Sequence, residues 1–336
     1  MAIKVVKSGK SASMADMLAA YKKDMGEEIG SYGGRLLEAE RIPTGLFPLD
    51  LALGGGFPRG KATIIFGPES SSKTNLALLA IGNHQKRWPE QTCAFVDVER
   101  SFDPAWARLL GVDTDKLIVV EPAYAEQVVD IVEGFLAAID CGVVVVDSLA
   151  AMIPISEVEN SAERANVGTA GLVINKLYRK STAAMGESIK RGGFPTLIYI
   201  NQIRFKIGVM FGNPETMPGG PAMLFQAAII LRVYGKNVTD PKVSDTMPVA
   251  KEVSFVIKKW KCPIHSAGGK VEMIMLPYKG LQPGQCDDLG LLQEYLEGYG
   301  EWGKGPKDKG WVIAGETYDT QAAWKQRVLS DQDYAK

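Results

Sequence analysis

An apolar run leads into a serine-rich loop in Ala62-Thr63-Ile64-Ile65-Phe66-Gly67-Pro68-Glu69-Ser70-Ser71-Ser72-Lys73-Thr74, and a helix-length apolar segment begins at Asn75. Strand, loop and helix in this order match G-x-x-x-x-G-K-[ST], a pattern in which backbone N–H groups and a helix N-terminus hold phosphate groups. Ser72 stands where the pattern has glycine. The flanking strand and helix favour a nucleotide site over a serine-rich turn.

This loop supplies most of the predicted contacts with a nucleotide. Lys73 is expected to reach the β- and γ-phosphates, and Thr74 is expected to ligate Mg²⁺. ATP with Mg²⁺ is therefore the predicted cofactor. The predicted nucleotide-binding residues of this segment are Gly67, Pro68, Glu69, Ser70, Ser71, Ser72, Lys73, Thr74 and Asn75.

Two further carboxylates follow apolar runs. The run 143–146 leads into Asp147 and Ser148, where an acid can orient the water around Mg²⁺, although Asp147 could instead cap the next helix. Glu99 follows the run 93–96 and could polarise the water that attacks the γ-phosphate, although it could also be a solvated loop carboxylate. Three such pieces on successive strand ends predict a nucleotide-hydrolysing site.

Short apolar runs recur along the chain from residue 42 onward. Four of them are separated by helix-length segments and lack the polar alternation of half-exposed strands, so burial on both faces is expected. Three later runs follow without long helices between them, which predicts an antiparallel extension. The seven runs are 62–66, 93–96, 142–146, 196–200, 227–234, 251–258 and 270–276. The predicted fold class is α/β, with a mostly parallel central sheet flanked by helices.

Three parts are predicted along the chain. Residues 1–34 comprise a basic tail and an amphipathic helix that begins after Ser13, and residues 35–280 form the nucleotide-binding core. Residues 281–336 are expected to form a small α+β lobe that includes a helix over 289–299. The N-terminal helix cannot bury its apolar stripe alone, so it docks either on its own domain or on a neighbouring subunit.

Composition excludes several classes of protein. The 336 residues include 38 Lys+Arg and 39 Asp+Glu, so binding to nucleic acid requires a local basic patch. A hydrophobic fraction of 46% excludes extensive disorder. No apolar run is long enough to span a membrane and no secretory signal is present, so a cytoplasmic protein is expected. Four widely spaced cysteines argue against a disulfide framework or a zinc site and predict free thiols.

The chain resembles the RecA family of DNA recombinases over roughly residues 35–300. Its phosphate loop shares that family's Pro-Glu-Ser-Ser, which the general pattern does not require. The segment 92–99, followed by Asp103-Pro104, resembles the strand that carries the family's catalytic glutamate, which implies that role for Glu99. The adenine contacts implied by the resemblance are Asp103, Trp106 and Tyr278.

The segment Asn201–Thr216 with Gly219-Gly220 resembles the family's second DNA-binding loop almost residue for residue. Its basic residues can meet phosphates, its glycines allow close backbone approach, and its apolar residues can act as wedges between stacked bases. Gln202 begins the loop and, by resemblance, senses the γ-phosphate, so it links the nucleotide state to DNA affinity. The implied DNA contacts are Arg204, Phe205, Lys206, Ile207, Gly208, Val209, Met210, Phe211, Gly212, Asn213, Gly219 and Gly220.

The resemblance implies further contacts outside the two strongest motifs. In a first DNA-binding loop over 157–171 and on the following helix, these are Arg164, Val167, Gly168 and Arg179. Phe225 falls where the family passes a signal between subunits, with plain core packing as the alternative. In the family, lysines at the end of the strand 251–258 complete the neighbour's ATP site. This implies that role for Lys258 and Lys261, with a solvated basic strand end as the alternative.

An ATP-dependent homologous recombinase is the function implied by the resemblance. It would form helical filaments on single-stranded DNA and catalyse pairing and strand exchange. The implied partners are single-stranded DNA, homologous duplex DNA, further copies of the chain, and a single-strand-binding protein or loader. A hexameric DNA motor and an ATP-clamped DNA-coating protein with negligible turnover are the alternatives. The sequence has no acidic run at its C-terminus, as expected of a compact, divergent variant such as a bacteriophage-encoded one.

Overall fold

The computed structural model describes most of the chain between residues 13 and 286 and short pieces beyond it. The described residues are 13–25, 40–159, 168–205, 215–219, 223, 225–286, 292–293, 296–297, 302–304, 311–313, 316–321, 323–324 and 327.

Strands and helices alternate through the first half of the described chain. The helices are α1 (Met14–Met25), α2 (Phe47–Leu53), α3 (Lys73–Arg87), α4 (Pro104–Leu109), α5 (Ala125–Ala137), α6 (Ile155–Glu159) and α7 (Thr169–Lys190). The first nine strands are β1 (Arg41–Ile42), β2 (Phe57–Pro58), β3 (Ala62–Gly67), β4 (Thr92–Asp97), β5 (Leu117–Val120), β6 (Cys141–Asp147), β7 (Thr196–Gln202), β8 (Arg204–Phe205) and β9 (Glu215–Thr216). The remaining strands are β10 (Ile229–Val238), β11 (Ala250–Trp260), β12 (Gly268–Ile274), β13 (Trp302–Lys304), β14 (Trp311–Ile313) and β15 (Glu316–Tyr318).

An eight-stranded sheet in the order β12-β11-β10-β3-β7-β6-β4-β5 forms the centre of the protein. The six strands from β10 to β5 are parallel, and β11 and β12 continue the sheet antiparallel. This confirms the predicted α/β class and its antiparallel extension.

Strand β10 lies on the parallel side of that boundary. It pairs with β11 antiparallel, as predicted, and with β3 in parallel, with Ile229 opposite Thr63, so the predicted extension joins the parallel sheet at β10. The connection 203–228 is long enough for a parallel crossover, which needs about a dozen residues. Strand β5 was missed, although its four residues, Leu117 to Val120, form a short apolar run; it lies at the edge of the sheet and its middle residues are exposed.

Consecutive residues of β6 pack on opposite faces of the sheet. Val143 and Val145 join the hydrophobic cluster that contains α3, whereas Val144 and Val146 join the cluster that contains α5 and α7. Each fully buried valine contributes roughly 2 kcal/mol to folding. Coverage of both faces therefore explains the unbroken apolar run of β6, which fixes the position of Asp147 at its end.

Helix α1 begins with a reciprocal cap, in which the Asp16 carboxylate accepts from the Ser13 N–H at 3.0 Å and the Ser13 hydroxyl oxygen accepts from the Asp16 N–H at 3.2 Å. The predicted helix after Ser13 is confirmed. Near the C-terminus, β13, β14 and β15 form a small antiparallel sheet whose cluster buries Ile313 and Trp324. The helix predicted over 289–299 lies largely outside the described residues, and the division into three parts stays a prediction.

All four cysteines are free, as predicted. Across the described residues, no helix combines the length and the apolar character needed to cross a membrane.

Candidate nucleotide and DNA site

Four neighbouring parallel strands bring the predicted chemical groups to one edge of the sheet. Strands β3, β7, β6 and β4 lie side by side, and the phosphate loop, Gln202, Asp147 and Glu99 stand at or just after their carboxyl ends. Ligands of open α/β sheets bind at this edge. The arrangement confirms that the predicted pieces meet in space.

The phosphate loop wraps around the ammonium group of Lys73. Its Nζ donates to the carbonyl oxygens of Pro68 at 2.6 Å and Gly67 at 3.3 Å and lies 3.4 Å from the hydroxyl of Ser71. The Ser71 hydroxyl itself donates to Pro68 at 2.8 Å. The loop is thus a closed turn with a positive charge at its centre and the N-terminus of α3 behind it.

Burial lowers the pKa of Lys73, while the nearby carboxylates of Asp147, Glu99 and Glu69 act to raise it. The buried ammonium has backbone carbonyl partners, and the described residues place no carboxylate within ion-pair distance of it. An anion such as a phosphate would therefore add a direct charge partner that the loop itself does not provide.

Three backbone positions shape this turn. A Cβ at Gly67 would overlap the carbonyl oxygen of Val233 on β10, so only glycine fits there. Ser70 and Ser72 adopt left-handed backbone, with φ of 56° and 71°. Ser72 keeps the conformation that the glycine of the pattern would adopt, and its buried hydroxyl has no hydrogen-bond partner within the described structure.

Thr74 and Asp147 form the predicted metal position. The Thr74 hydroxyl donates to Asp147 Oδ2 at 2.6 Å, and burial raises the pKa of Asp147 to about 6. In the described part of the chain, no cluster of three or more His, Cys, Asp or Glu side chains could hold a metal. A hydroxyl and one carboxylate suit Mg²⁺, which keeps several waters and takes further oxygens from substrate phosphates.

Glu99 is held by two side-chain donors. The hydroxyl of Ser148 and the amide of Gln202, the latter at 3.1 Å, both donate to Glu99 Oε1. The Glu99 N–H also donates to the carbonyl of Asp147 at 3.2 Å. The carboxylate predicted to activate water is thus joined to the metal position on one side and to the start of the second DNA loop on the other.

The residues predicted to contact adenine have partners of their own. The Asp103 carboxylate caps α4 by accepting from the N–H groups of Ala105 and Trp106 at 2.8 and 3.2 Å. The indole N–H of Trp106 donates to Asn75 Oδ1 at 3.0 Å, which sets the ring against the first turn of α3. Tyr278 donates to Asp240 at 3.1 Å, beyond the end of β12. Their contact with a base stays a prediction.

The second DNA loop has a described base. Arg204 is exposed on β8, which pairs with β9 to close the loop. The Asn201 amide fixes the return of the chain by donating to the carbonyl of Pro218 at 2.9 Å, and Gly219 is buried with φ of 109°. Phe205 lies on β8, while Lys206, Ile207, Gly208, Val209, Met210, Phe211, Gly212, Asn213 and Gly220 lie outside the described residues.

The first DNA loop is described only at its two ends, residues 157–159 and 168–171. Arg164 and Val167 lie outside the described residues, and Gly168 is exposed at the N-cap of α7 with φ of 97°. Arg179 is exposed on α7, about 16 Å further along the helix. Arg179 is therefore about three turns of α7 away from Gly168.

The predicted subunit-contact residues lie at the opposite edge of the sheet. Trp260 pairs with Ile229, level with Thr63 at the start of β3, roughly 13 Å along the strand from the phosphate loop. Phe225 is 72% exposed, so the alternative of core packing was wrong. The Lys261 ammonium donates to the carbonyl of Phe225.

Two site residues were missed by sequence reasoning. Asp97 is buried and accepts from the N–H groups of Ser101 and Phe102 at 3.1 and 2.8 Å, which shapes the loop that carries Glu99. Its position at the end of an apolar strand was an available signal. Lys251 donates to the carbonyl of Ser70 at 2.8 Å. No sequence signal marks that contact, because the two residues are far apart in the chain.

Comparisons with known proteins agree on one family. A family model described as the RecA N-terminal domain matches residues 13–276. Protein RecA of Gloeobacter violaceus is 38% identical over 296 residues, which cover 87% of this chain and 77% of that protein. Protein RecA of Thermus aquaticus is 37% identical over 301 residues, covering 88% and 85% respectively.

A solved structure with a similar fold is the crystal structure of the RadB recombinase, with a TM-score of 0.50 and 20% identity over 69% of this chain and 96% of that chain. The family match spans most of the chain, and the RecA proteins are similar over most of their own length. These relatives support neither the hexameric motor nor the ATP clamp. The chain belongs to the RecA family and is a RecA-type recombinase.

Proposed function

We propose that the chain binds Mg²⁺ and ATP at the phosphate loop, assembles head-to-tail on single-stranded DNA, and catalyses homologous pairing and strand exchange with DNA-stimulated ATP hydrolysis. The observation that carries this proposal is the hydrogen bond between Gln202 and Glu99. It joins the first residue of the second DNA loop to the carboxylate at the nucleotide site. A movement of Gln202 therefore alters the position of the Glu99 carboxylate, and a movement of Glu99 alters that of Gln202.

The side chains around the phosphate loop would have different roles toward the bound nucleotide. Lys73 would neutralise the phosphates, and Thr74 with Asp147 would hold Mg²⁺, the latter through water. Glu99 would accept a proton from the attacking water, while Ser148 and Gln202 hold its carboxylate in place. Bound Mg²⁺ and ATP supply the scissile phosphate bond and the charge that polarises it.

Two surfaces at opposite ends of the strands support the proposed head-to-tail assembly. The phosphate loop is at the carboxyl edge of the sheet, whereas Phe225, Lys258 and Lys261 are at the opposite end of the same strands. In a head-to-tail array, the second surface of one copy faces the first surface of the next, and a contact that does not close builds a filament. We infer that Lys258 and Lys261 complete the neighbour's ATP site and that Phe225 passes the nucleotide state between copies.

DNA binding rests on the two loops at the carboxyl edge. The basic and apolar residues predicted there suit contacts with phosphates and stacked bases, so sequence would be read by base pairing between strands. This function places the protein with DNA in a bacterial cytoplasm, including that of an infected bacterium. A single-strand-binding protein or loader is a further partner of the proposal.

Steady-state ATP hydrolysis, measured with and without single-stranded DNA, tests this function. We expect the wild type to be stimulated by DNA and Lys73→Ala to be inactive in both conditions. Gln202→Ala is expected to bind nucleotide but to lose the stimulation, because its amide no longer links the DNA loop to Glu99. Absence of turnover in the wild type, together with normal nucleotide binding, would instead support the ATP clamp.

A further inference from the structure

Lys251 connects strand β11 to the phosphate loop. Its Nζ donates a hydrogen bond of 2.8 Å to the carbonyl oxygen of Ser70, a residue 181 positions earlier in the chain. Ser70 has a φ of 56°, in the left-handed region that serine rarely adopts. Ser70 is thus one of two loop residues with an unfavourable left-handed backbone. Its carbonyl is held by a charged donor from outside the loop.

The space for this contact is made by Gly235 on β10. A Cβ at that position would lie 2.9 Å from the Ser70 carbonyl oxygen and 3.1 Å from Cδ of Lys251. Any other residue would therefore push the loop and the lysine apart. The lysine stem and the loop backbone share one closely packed gap, which distinguishes this contact from a lysine lying freely on the surface.

The contact brings a second positive charge close to the phosphate loop. Burial lowers the pKa of Lys251, and the charge of Lys251 contributes to lowering the pKa of Lys73. Two ammonium groups thus approach the same loop, one from α3 and one from β11. A bound polyphosphate would relieve their repulsion, so anion binding and the hydrogen bond from Lys251 favour the same loop conformation.

We propose that Lys251 is a positioning residue that holds the phosphate loop in the conformation that accepts a nucleoside triphosphate. It acts through the carbonyl of Ser70 and not by touching the phosphates. The proposal rests on the proposed function, since the loop must bind ATP. A loop with serines at both left-handed positions, Ser70 and Ser72, needs such an anchor, because residues other than glycine keep this backbone only when their surroundings hold it.

Binding of a fluorescent ADP analogue, mant-ADP with Mg²⁺, is the test. Lys251→Met keeps the apolar stem and removes the donor, and we expect it to raise the Kd about tenfold. Lys251→Arg is expected to stay within about threefold of the wild type, because it can still donate to the carbonyl. In steady-state hydrolysis, the KM for ATP rises with the Kd, whereas kcat stays within about twofold.

Two comparisons separate positioning from a general loss of charge or stability. Lys236→Met removes a charge from the opposite face of neighbouring β10 and is expected to bind like the wild type. In a Ser70→Gly background, Lys251→Met is expected to cost less than about threefold, because glycine adopts the left-handed backbone unaided. Should Lys251→Met fail to fold, Lys251→Gln replaces it and is expected to bind more weakly than Lys251→Arg.

Wild-type affinity in Lys251→Met, or an equal loss in Lys236→Met, would overturn the role of Lys251. An undiminished loss in the Ser70→Gly background would overturn it as well. The wild type and Lys73→Ala separate this result from the proposed function. If the wild type fails to bind mant-ADP, or if Lys73→Ala binds it equally well, the assignment of the loop as the ATP site fails, and the role of Lys251 fails with it.

Discussion

At the scale of single residues, the phosphate loop depends on a serine that carries out the backbone role of a glycine. Ser72 has a φ of 71° and a buried hydroxyl without a partner in the described structure. The left-handed backbone costs an L-residue roughly 1–2 kcal/mol, and an unsatisfied hydroxyl adds to that cost. The folded loop is therefore strained at the residue that precedes Lys73.

Ser72→Gly is expected to raise the free energy of unfolding by roughly 0.5–1 kcal/mol, because the relief of strain exceeds glycine's extra conformational entropy in the unfolded chain. Urea unfolding without nucleotide measures this. Ser72→Ala is the matched control, since it keeps the strain and removes only the hydroxyl. The ATPase rate should change in Ser72→Gly while filaments on DNA persist. Loss of all DNA binding would contradict the assignment of Ser72 to the nucleotide site alone.

His84 makes stability depend on pH. Burial, with a smaller effect from the charge of Arg59, lowers its pKa from 6.5 to about 4. The unfolded chain therefore binds the proton more readily than the folded protein, so stability is complete above about pH 6.5 and falls as the pH drops toward 4. Below the folded-state pKa, the free energy of unfolding is expected to be lower by about 3 kcal/mol than at neutral pH.

Urea midpoints between pH 4 and 7 measure the dependence on His84. His84→Asn is expected to lower stability at neutral pH but to flatten the slope between pH 4 and 6.5. His265, the other histidine, is exposed, and His265→Asn is the control that should keep the wild-type slope. An unchanged slope in His84→Asn would assign the acid sensitivity to the carboxylates instead.

At the scale of elements, strand β11 contains one extra residue where its lysines lie. Ile230 pairs with Lys259 and Leu231 pairs with Ile257, so Lys258 bulges from the ladder. The bulge leaves Lys258 exposed, whereas Lys259 is half-buried and Lys261 donates to the carbonyl of Phe225. Lys258 is therefore the lysine most available to a neighbouring subunit.

Lys258→Ala is expected to lower DNA-stimulated ATP hydrolysis at least about tenfold, because a charge facing the neighbour's phosphates is lost. Binding of mant-ADP to the free subunit should stay unchanged, since that subunit's own loop is intact. Lys270→Ala, at an exposed position of edge strand β12, is the control for loss of one positive charge from the same sheet. A larger loss in Lys259→Ala than in Lys258→Ala would show that the bulge directs the other lysine to the neighbour.

The elements also show how far the sequence could be interpreted. Strand β6 was predictable because burial on both faces requires an unbroken apolar run, and its end then places Asp147. Strand β5 also has an apolar run, but its four residues are too few to separate a strand from a turn of buried helix by pattern alone. The parallel pairing of β10 depends on how the segment 203–228 crosses the sheet. Lys251 and Ser70 meet only through the tertiary fold, which no local pattern encodes.

At the scale of the whole molecule, the proposed nucleotide site and the proposed subunit contact lie at opposite ends of the same strands. Gly67 begins the phosphate loop at one end, and exposed Phe225 and Trp260 lie at the other, with exposed fractions of 72% and 51%. Exposed aromatic side chains are typical of a surface that is covered by a partner. In the proposed head-to-tail array, the two ends of the sheet face successive copies.

Helix α1 is expected to provide a second contact between copies. Met14 is 88% exposed and the helix carries an apolar stripe, so docking on a neighbour would bury surface that the subunit itself leaves in water. Deletion of residues 1–34 is expected to give a soluble monomer in sedimentation velocity, because one of the two contacts is lost. The deletion variant should bind mant-ADP like the full chain, since the phosphate loop and its partners on β4, β6, β7 and β11 are retained. Filaments formed by the deletion variant on single-stranded DNA would show that α1 docks on its own subunit, and that the surface around Phe225 suffices for assembly.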